Sequence, residues 1–175
     1  IVWHSCAGCS PTDALIAHLN YLASTYFDSP AYLRYNGRPV VVEFALEFYD
    51  IDWPRVYASI AGNPMIIFRN ATGLNRAGEG AYAWGPSQSL SYNEYFYTQT
   101  HNYPGKVIMG GAYKGFNDAL ASWSKNRYVS EECGQTWLNT INQANQHFST
   151  ANPLPFLQLI TWNDYEEGTG IEPGV

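Results

Sequence analysis

Apolar and polar positions change period several times along the chain. Pro39-Val40-Val41-Val42-Glu43-Phe44-Ala45-Leu46, Met65-Ile66-Ile67-Phe68, Lys106-Val107-Ile108-Met109-Gly110-Gly111 and Pro155-Phe156-Leu157-Gln158-Leu159-Ile160-Thr161-Trp162 are short, nearly unbroken apolar runs. Such runs predict strands covered on both faces, as in a parallel sheet. Residues 1–5 read as the end of one more. Between these runs the period lengthens. Leu15, Ile16, Leu19, Leu22 and Tyr26 keep helical spacing to about residue 27, behind a Ser10–Asp13 capping box with Pro11 at the first helical position. Asp52 caps a short helix to about Ala61, stopped by Asn63-Pro64. Residues 90–100 read as helix, and Trp137, Ile141, Ala144 and Phe148 mark an amphipathic one. Asn36-Gly37 is a turn. The Gly-rich stretch 71–89, which carries Tyr82 and Trp84, reads as a long functional loop.

The order β-α-β-α-β-α-β-(loop)-α-β, with no internal repeat and no linker, predicts an α/β protein with a parallel sheet and crossover helices. Two architectures fit: a partial (β/α)8 TIM barrel of about five strands, or an open doubly wound sheet. A whole barrel takes about 250 residues, so the 175 residues here are expected to be a single domain forming part of one. The chain opens on Ile1-Val2-Trp3-His4, in mid-strand, and closes on Ile171-Glu172-Pro173-Gly174-Val175 without a final helix, so a polypeptide cut at both ends is expected. An open half-barrel leaves sheet edges and inner core uncovered. The missing barrel half, or further copies of the same chain, are therefore the expected partners. Both architectures place ligands at the C-terminal ends of the strands.

Composition narrows the function. Nine Lys+Arg against fifteen Asp+Glu give a net charge of −6, and charged residues are only 14% of the chain, against 46% hydrophobic and 16% aromatic. Disorder is excluded. An acidic chain with no basic cluster is not a nucleic-acid binder, and no apolar run reaches the roughly 20 residues of a membrane span. Six Trp, fourteen Tyr and eight Phe serve either a large aromatic core or a sugar site, where flat rings stack on the C–H faces of pyranoses. The low Lys content, many Asn, Ser, Thr and Tyr, and the acidic balance fit a secreted protein. Cys6, Cys9 and Cys133 leave a structural disulfide, reduced thiols or redox chemistry open. His4, Cys6 and Cys9 supply only three of the four ligands zinc needs, so no metal or cofactor is expected. Asn70-Ala71-Thr72 is a glycosylation sequon.

The strand ends carry His4, Glu43 or Glu47, Arg69 with Asn70, Tyr113 with Lys114, and Trp162-Asn163-Asp164-Tyr165-Glu166-Glu167. No dinucleotide fingerprint, Walker A sequence or serine elbow follows a strand. Asp164 and Glu167, three apart on a tight loop ending in Gly168, can face one cavity. Two carboxylates are what glycoside hydrolysis requires, one protonating the leaving oxygen and the other activating water or attacking. Walls such as Trp162 and Tyr165 could desolvate one of them and separate their pKa values. A solvated acidic loop or a cation site is the alternative.

The segment Trp162-Asn163-Asp164-Tyr165-Glu166-Glu167-Gly168-Thr169-Gly170-Ile171-Glu172-Pro173 resembles the signature near the end of the catalytic barrel in glycoside hydrolase families 71 and 99. Asp164-Tyr165 follows the W-N-D-Y-G-E segment of the family 71 α-1,3-glucanases. Glu167-Gly168-Thr169 through Glu172-Pro173 follows the N-E-W-H-E-G-T-x-I-E-P of the family 99 endo-α-mannosidases. Weaker echoes lie in Tyr35-Asn36-Gly37-Arg38-Pro39-Val40-Val41 and Gly80-Ala81-Tyr82-Ala83-Trp84. The resemblance implies attack on an α-linked polysaccharide or oligosaccharide, with Asp164 as general base and Glu167 as general acid. The shorter Asp164 favours direct water attack and inversion. Glu166 departs from both patterns and adds a third carboxylate.

Trp162, Asn163, Tyr165 and Glu166 are the nearest candidate sugar contacts, followed by Glu43, Arg69, Trp84, Tyr113 and His4. Glu43 is either functional or held by a buried partner such as Arg69. Trp84 and Tyr113 are either stacking platforms or core. A carbohydrate-binding or self-assembling protein without turnover is the second functional expectation. A flavodoxin-like redox domain using Cys6 and Cys9 is the third.

Overall fold

The computed structural model describes residues 8–85 and 90–173. The strand expected over residues 1–5, with His4, and Cys6 beyond it, lie outside the described residues, as does the end of the Gly-rich loop. The chain packs as two compact units, one of residues Ile1–Arg69 with Arg76–Glu79, the other of Asn70–Asn75 with Gly80–Val175.

In the first unit, α1 (Pro11–Thr25) starts as its sequence dictates: Ser10 Oγ accepts the Asp13 N–H at 3.1 Å, and Pro11 lacks the N–H that would go unpaired there. Leu15 and Leu19 are buried on its inner face with Phe27, Val41, Val56, Ile66 and Phe68. Asn36 and Gly37, both at positive φ (49° and 77°), turn β1 (Arg34–Tyr35) back antiparallel onto β2 (Arg38–Val42). Helix α2 (Trp53–Ser59), capped by Asp52, then crosses to β3 (Met65–Arg69), which pairs parallel with β2.

The strand expected to run to Leu46 stops at Val42. Ala45 takes a left-handed conformation and Leu46–Phe48 form a 3-10 turn. The buried Glu43 carboxylate is the reason: it accepts the Leu46 N–H at 2.9 Å and the Arg69 N–H at 2.8 Å, giving the backbone a partner other than a sheet neighbour.

The second unit contains a strand that the loop expected over 71–89 had hidden. After a 3-10 turn at Ala71–Asn75 comes β4 (Gly80–Tyr82), whose Gly-Ala-Tyr sequence carries no β-branched residue. Helix α3 (Leu90–Thr100) leads to β5 (Val107–Tyr113), parallel to β4. A small hairpin, β6 (Phe116–Asn117) with β7 (Tyr128–Val129), precedes α4 (Gln135–His147). The last strand, β8 (Phe156–Ile160), is parallel to β5. Leu74, Ala81, Phe96, Tyr97, Ile108 and Ala144 form the core between strands and helices. Gly110 admits the Tyr97 ring against β5: a Cβ there would stand 2.7 Å from the Tyr97 hydroxyl.

Helix α4 is rotated from its expected setting. Its buried line is Thr136, Thr140 and Ala144, and Trp137 is only half-buried. The threonines are tolerated inside because each is hydrogen-bonded. Thr136 Oγ1 donates to Ser130 O at 2.6 Å, and Thr140 Oγ1 donates to Trp137 O at 2.9 Å while accepting the Tyr113 N–H at 3.3 Å. Cys9 is disulfide-bonded and Cys133 is an exposed free thiol. No helix among the described residues is long and apolar enough to cross a membrane.

Thr140→Val keeps the volume but leaves the buried Tyr113 N–H without its hydroxyl acceptor. The expected cost is about 1–3 kcal/mol, read as a lowered denaturation midpoint at unchanged m-value.

Candidate active site

The loop after β8 closes on itself. Thr161 N–H donates to Thr169 O at 3.2 Å, the two threonine hydroxyls meet at 2.7 Å, and Ile171 N–H returns to Thr161 O at 3.0 Å. Inside this ring Asp164 is fixed three ways: its N–H donates to Thr161 Oγ1 at 3.1 Å, its carbonyl accepts the Thr169 N–H at 3.2 Å, and its Oδ1 accepts the Glu167 N–H at 3.1 Å. The last bond, from a side-chain oxygen to the N–H three residues on, is a cap-type closure that aspartate favours. Gly168, at φ +61°, lets the chain turn flush against Asn117, whose N–H donates to Glu167 O at 2.8 Å. That bond fastens the loop to the β6–β7 hairpin.

The two acids are thus held on one rigid turn, with different surroundings. Asp164 has spent Oδ1 on the backbone, and its Oδ2 has no hydrogen-bond partner among the described residues. The half-buried Glu167 carboxyl likewise has none. Burial pushes the Glu167 carboxyl above the ordinary carboxylate range, and the Asp164 charge raises it further. Arg127 offsets part of this and Asp118 adds to it. Such a carboxyl keeps its proton more readily than an exposed one and can deliver it. Trp162 and Tyr165 stand 61% and 65% exposed beside the pair. Asn163 and Glu166 are exposed on the same loop. The Tyr165 hydroxyl donates to the Glu172 carboxylate.

The charges beside Glu167 come from residues that the sequence did not single out. Asp118 is fully buried and accepts from Arg127 Nε (2.8 Å), the N–H groups of Lys125 (3.2 Å) and Arg127 (2.8 Å), and Ser124 Oγ (3.1 Å). Burial alone would raise its pKa, but Arg127 and these donors prevail and hold it down at about 2. The Arg127 guanidinium lies 5.1 Å from the Phe116 ring and 5.6 Å from Trp123. The stretch was irregular in sequence, and its only signal is an Asp and an Arg nine residues apart.

In the first unit Glu43 is buried, and both its oxygens serve backbone N–H groups. Burial raises its pKa and those two bonds lower it, the rise prevailing. Arg69 meets Glu43 through its backbone N–H, while its guanidinium pairs with Glu47 and lies 4.4 Å from the Phe44 ring. Glu47 Oε2 is buried without a hydrogen-bond partner among the described residues. A cavity of about 300 Å³ adjoins this cluster, lined by Leu19, Val41, Glu43, Phe44, Leu46 and Trp53 among others.

Tyr113 is 0% exposed, so its ring is core and offers no face to a sugar in this structure. That replaces its reading as a stacking platform. Trp84 is half-buried, edge-on to Tyr82 at 6.2 Å.

No family model and no curated protein sequence matches the chain. Solved structures do. A family 99 endo-α-mannosidase from Bacteroides thetaiotaomicron, in complex with Bis-Tris propane, superposes with a TM-score of 0.78 at 18% identity, over 96% of this chain and 57% of that one. A second structure described as a family 99 endo-α-mannosidase from that organism gives 0.76 at 19% identity, over 96% and 54%. A glycoside hydrolase-like protein gives 0.66 at 14% identity, over 92% and 53%. The chain thus spans a little over half the length of the structures it matches, and at these identities the likeness is one of fold. The fold is the parallel β/α arrangement of a partial (β/α)8 barrel, the first of the two expected architectures.

Glu167→Gln tests the electrostatics without any substrate. A carboxyl whose native pKa is raised contributes stability that is complete below its unfolded-state pKa and is lost as pH rises through the native value. The stability of Glu167→Gln minus that of the parent chain should therefore grow through that window and level off above it, as measured by denaturation from acid to neutral pH. Glu43→Leu strands the Leu46 and Arg69 N–H groups and should cost about 2–6 kcal/mol, most at acid pH and less as pH rises through the raised native pKa of Glu43.

Proposed function

We propose that the chain is the catalytic part of a glycoside hydrolase acting on an α-linked polysaccharide, α-1,3-glucan or an α-mannan, by inversion. One observation carries this reading: a rigid post-strand turn presents two carboxyls with free oxygens, one of them held toward its protonated form by burial and by its neighbour. The sequence signature at that turn and the fold shared with family 99 endo-α-mannosidase structures support it. Glu167 gives its proton to the glycosidic oxygen as the C1–O bond breaks. Asp164 Oδ2 takes a proton from a water whose oxygen bonds to C1 from the opposite face. An acid held toward its protonated form is what the proton-donating step of such catalysis needs. Solvent then reprotonates Glu167 and deprotonates Asp164. Trp162 and Tyr165 supply the ring faces on which a pyranose stacks, with Asn163 and Glu166 reaching its hydroxyls. The disulfide at Cys9 suits an oxidising compartment and hence a secreted protein.

The exposed Trp162 and Tyr165 also favour a second reading, glycan binding without turnover. Incubation with α-1,3-glucan and α-mannan, with reducing ends counted and the first-formed anomer assigned by NMR, separates the two. Hydrolysis with inversion is expected. Asp164→Asn and Glu167→Gln should each lower kcat by about 10²–10⁴-fold. Binding with no reducing ends released would select the second reading, and unimpaired turnover by Glu167→Gln would remove the acid assignment.

A further inference from the structure

The second unit has a groove that the catalytic loop borders but does not fill. It measures about 850 Å³ and is lined by Lys114, Glu131, Cys133, Gln135, Trp137 and Glu172 among others. Its floor passes through Gly170 and Ile171, the residues that follow the ring closed by Thr161 and Thr169. Glu172 joins groove and loop directly: its N–H donates to Trp162 O at 2.9 Å, and its carboxylate accepts the Tyr165 hydroxyl.

We propose that this groove is a further sugar-binding subsite, taking units of the glycan beyond those at Asp164 and Glu167. The inference rests on the hydrolase reading and adds where further units of that polysaccharide are held. The argument begins with α4. Because Thr136, Thr140 and Ala144 take its buried line, Trp137 is left half-exposed on the groove, with Leu138 exposed beside it. An indole and two aliphatic side chains, Leu138 and Ile171, give an apolar surface of the kind that accepts the C–H face of a pyranose. Polar groups surround it. Lys114 Nζ and Glu131 Oε1 form an ion pair at 2.8 Å, and Gln135 and Glu172 add an amide and a carboxylate. Apolar walls with a few polar groups, in a volume of this order, are the usual make-up of a ligand pocket. Charge selects among glycans. The lining holds Lys114 together with Glu131, Glu132 and Glu172, so it sums to −2 and repels uronic acids and phosphates while leaving neutral hexoses acceptable.

Cys133, exposed on the groove rim, is a built-in reporter. Steady-state hydrolysis of nigerotetraose and α-mannotetraose is compared with that of the matching disaccharides, in the parent chain and in Trp137→Ala. Alkylation of Cys133 by N-ethylmaleimide is timed with and without each tetrasaccharide. The expected result is a KM rise of about tenfold in Trp137→Ala for the cleaved tetrasaccharide only, with kcat preserved, and slowed alkylation that Trp137→Ala restores. Gln135→Ala, on the helix surface, should shift KM in the same direction and serves if Trp137→Ala folds poorly. Equal effects on both lengths, or alkylation unchanged by a tetrasaccharide that the chain cleaves, would overturn the subsite and leave the hydrolase reading standing. If no α-glycan is cleaved, the hydrolase reading fails by itself. Protection of Cys133 in Glu167→Gln then decides whether the groove binds sugar, and its absence overturns the subsite too.

Discussion

The closed ring of hydrogen bonds between Thr161 and Thr169 is the constraint on which the candidate site depends. Loops at strand ends are ordinarily the mobile part of a β/α fold, yet acid–base chemistry needs two groups held to within a fraction of an ångström. Here the loop is too short to wander, and nearly every bond that closes it uses backbone or a threonine hydroxyl. Those bonds do not depend on pH. The one ionisable group among them, Asp164, spends a single oxygen on the loop.

The β6–β7 hairpin does for electrostatics what the ring does for geometry. It carries a fully buried aspartate, held ionised by Arg127 and three further donors, up to the flank of Glu167. A fixed ion pair next to a titrating acid tunes it without competing for its proton, because the buried member does not change charge over the range in which Glu167 does. Burial sets the direction of the shift at Glu167, and Asp164 and the Arg127–Asp118 pair adjust it.

In the first unit a similar device serves structure. The Glu43 carboxylate pins the ends of β2 and β3 by taking one N–H from each side, and Arg69 is left to pair with Glu47 beneath Phe44. A buried acid at a strand end is thus not by itself a sign of catalysis. What distinguishes the Asp164–Glu167 turn is that only Asp164 Oδ1 is committed to the backbone, while Asp164 Oδ2 and the Glu167 carboxyl have no hydrogen-bond partner among the described residues.

The periodicities of the sequence determined the helices and most of the parallel strands. These elements are selected by local burial pattern and by caps such as Ser10 and Asp52, which act within a few residues. The acidic turn after the last strand was legible for the same reason: aspartate, glycine and threonine close it locally. Tertiary structure decided the rest. It placed Asp118 and Arg127 beside Glu167, because that approach joins residues about forty to fifty positions apart through the pairing of Asn117 with the loop. It buried Tyr113 and turned Trp137 outward, because packing against β5 set the rotation of α4 and could satisfy two buried threonines. It also split a loop into β4, since Gly-Ala-Tyr becomes a strand only when β5 lies alongside to accept its hydrogen bonds.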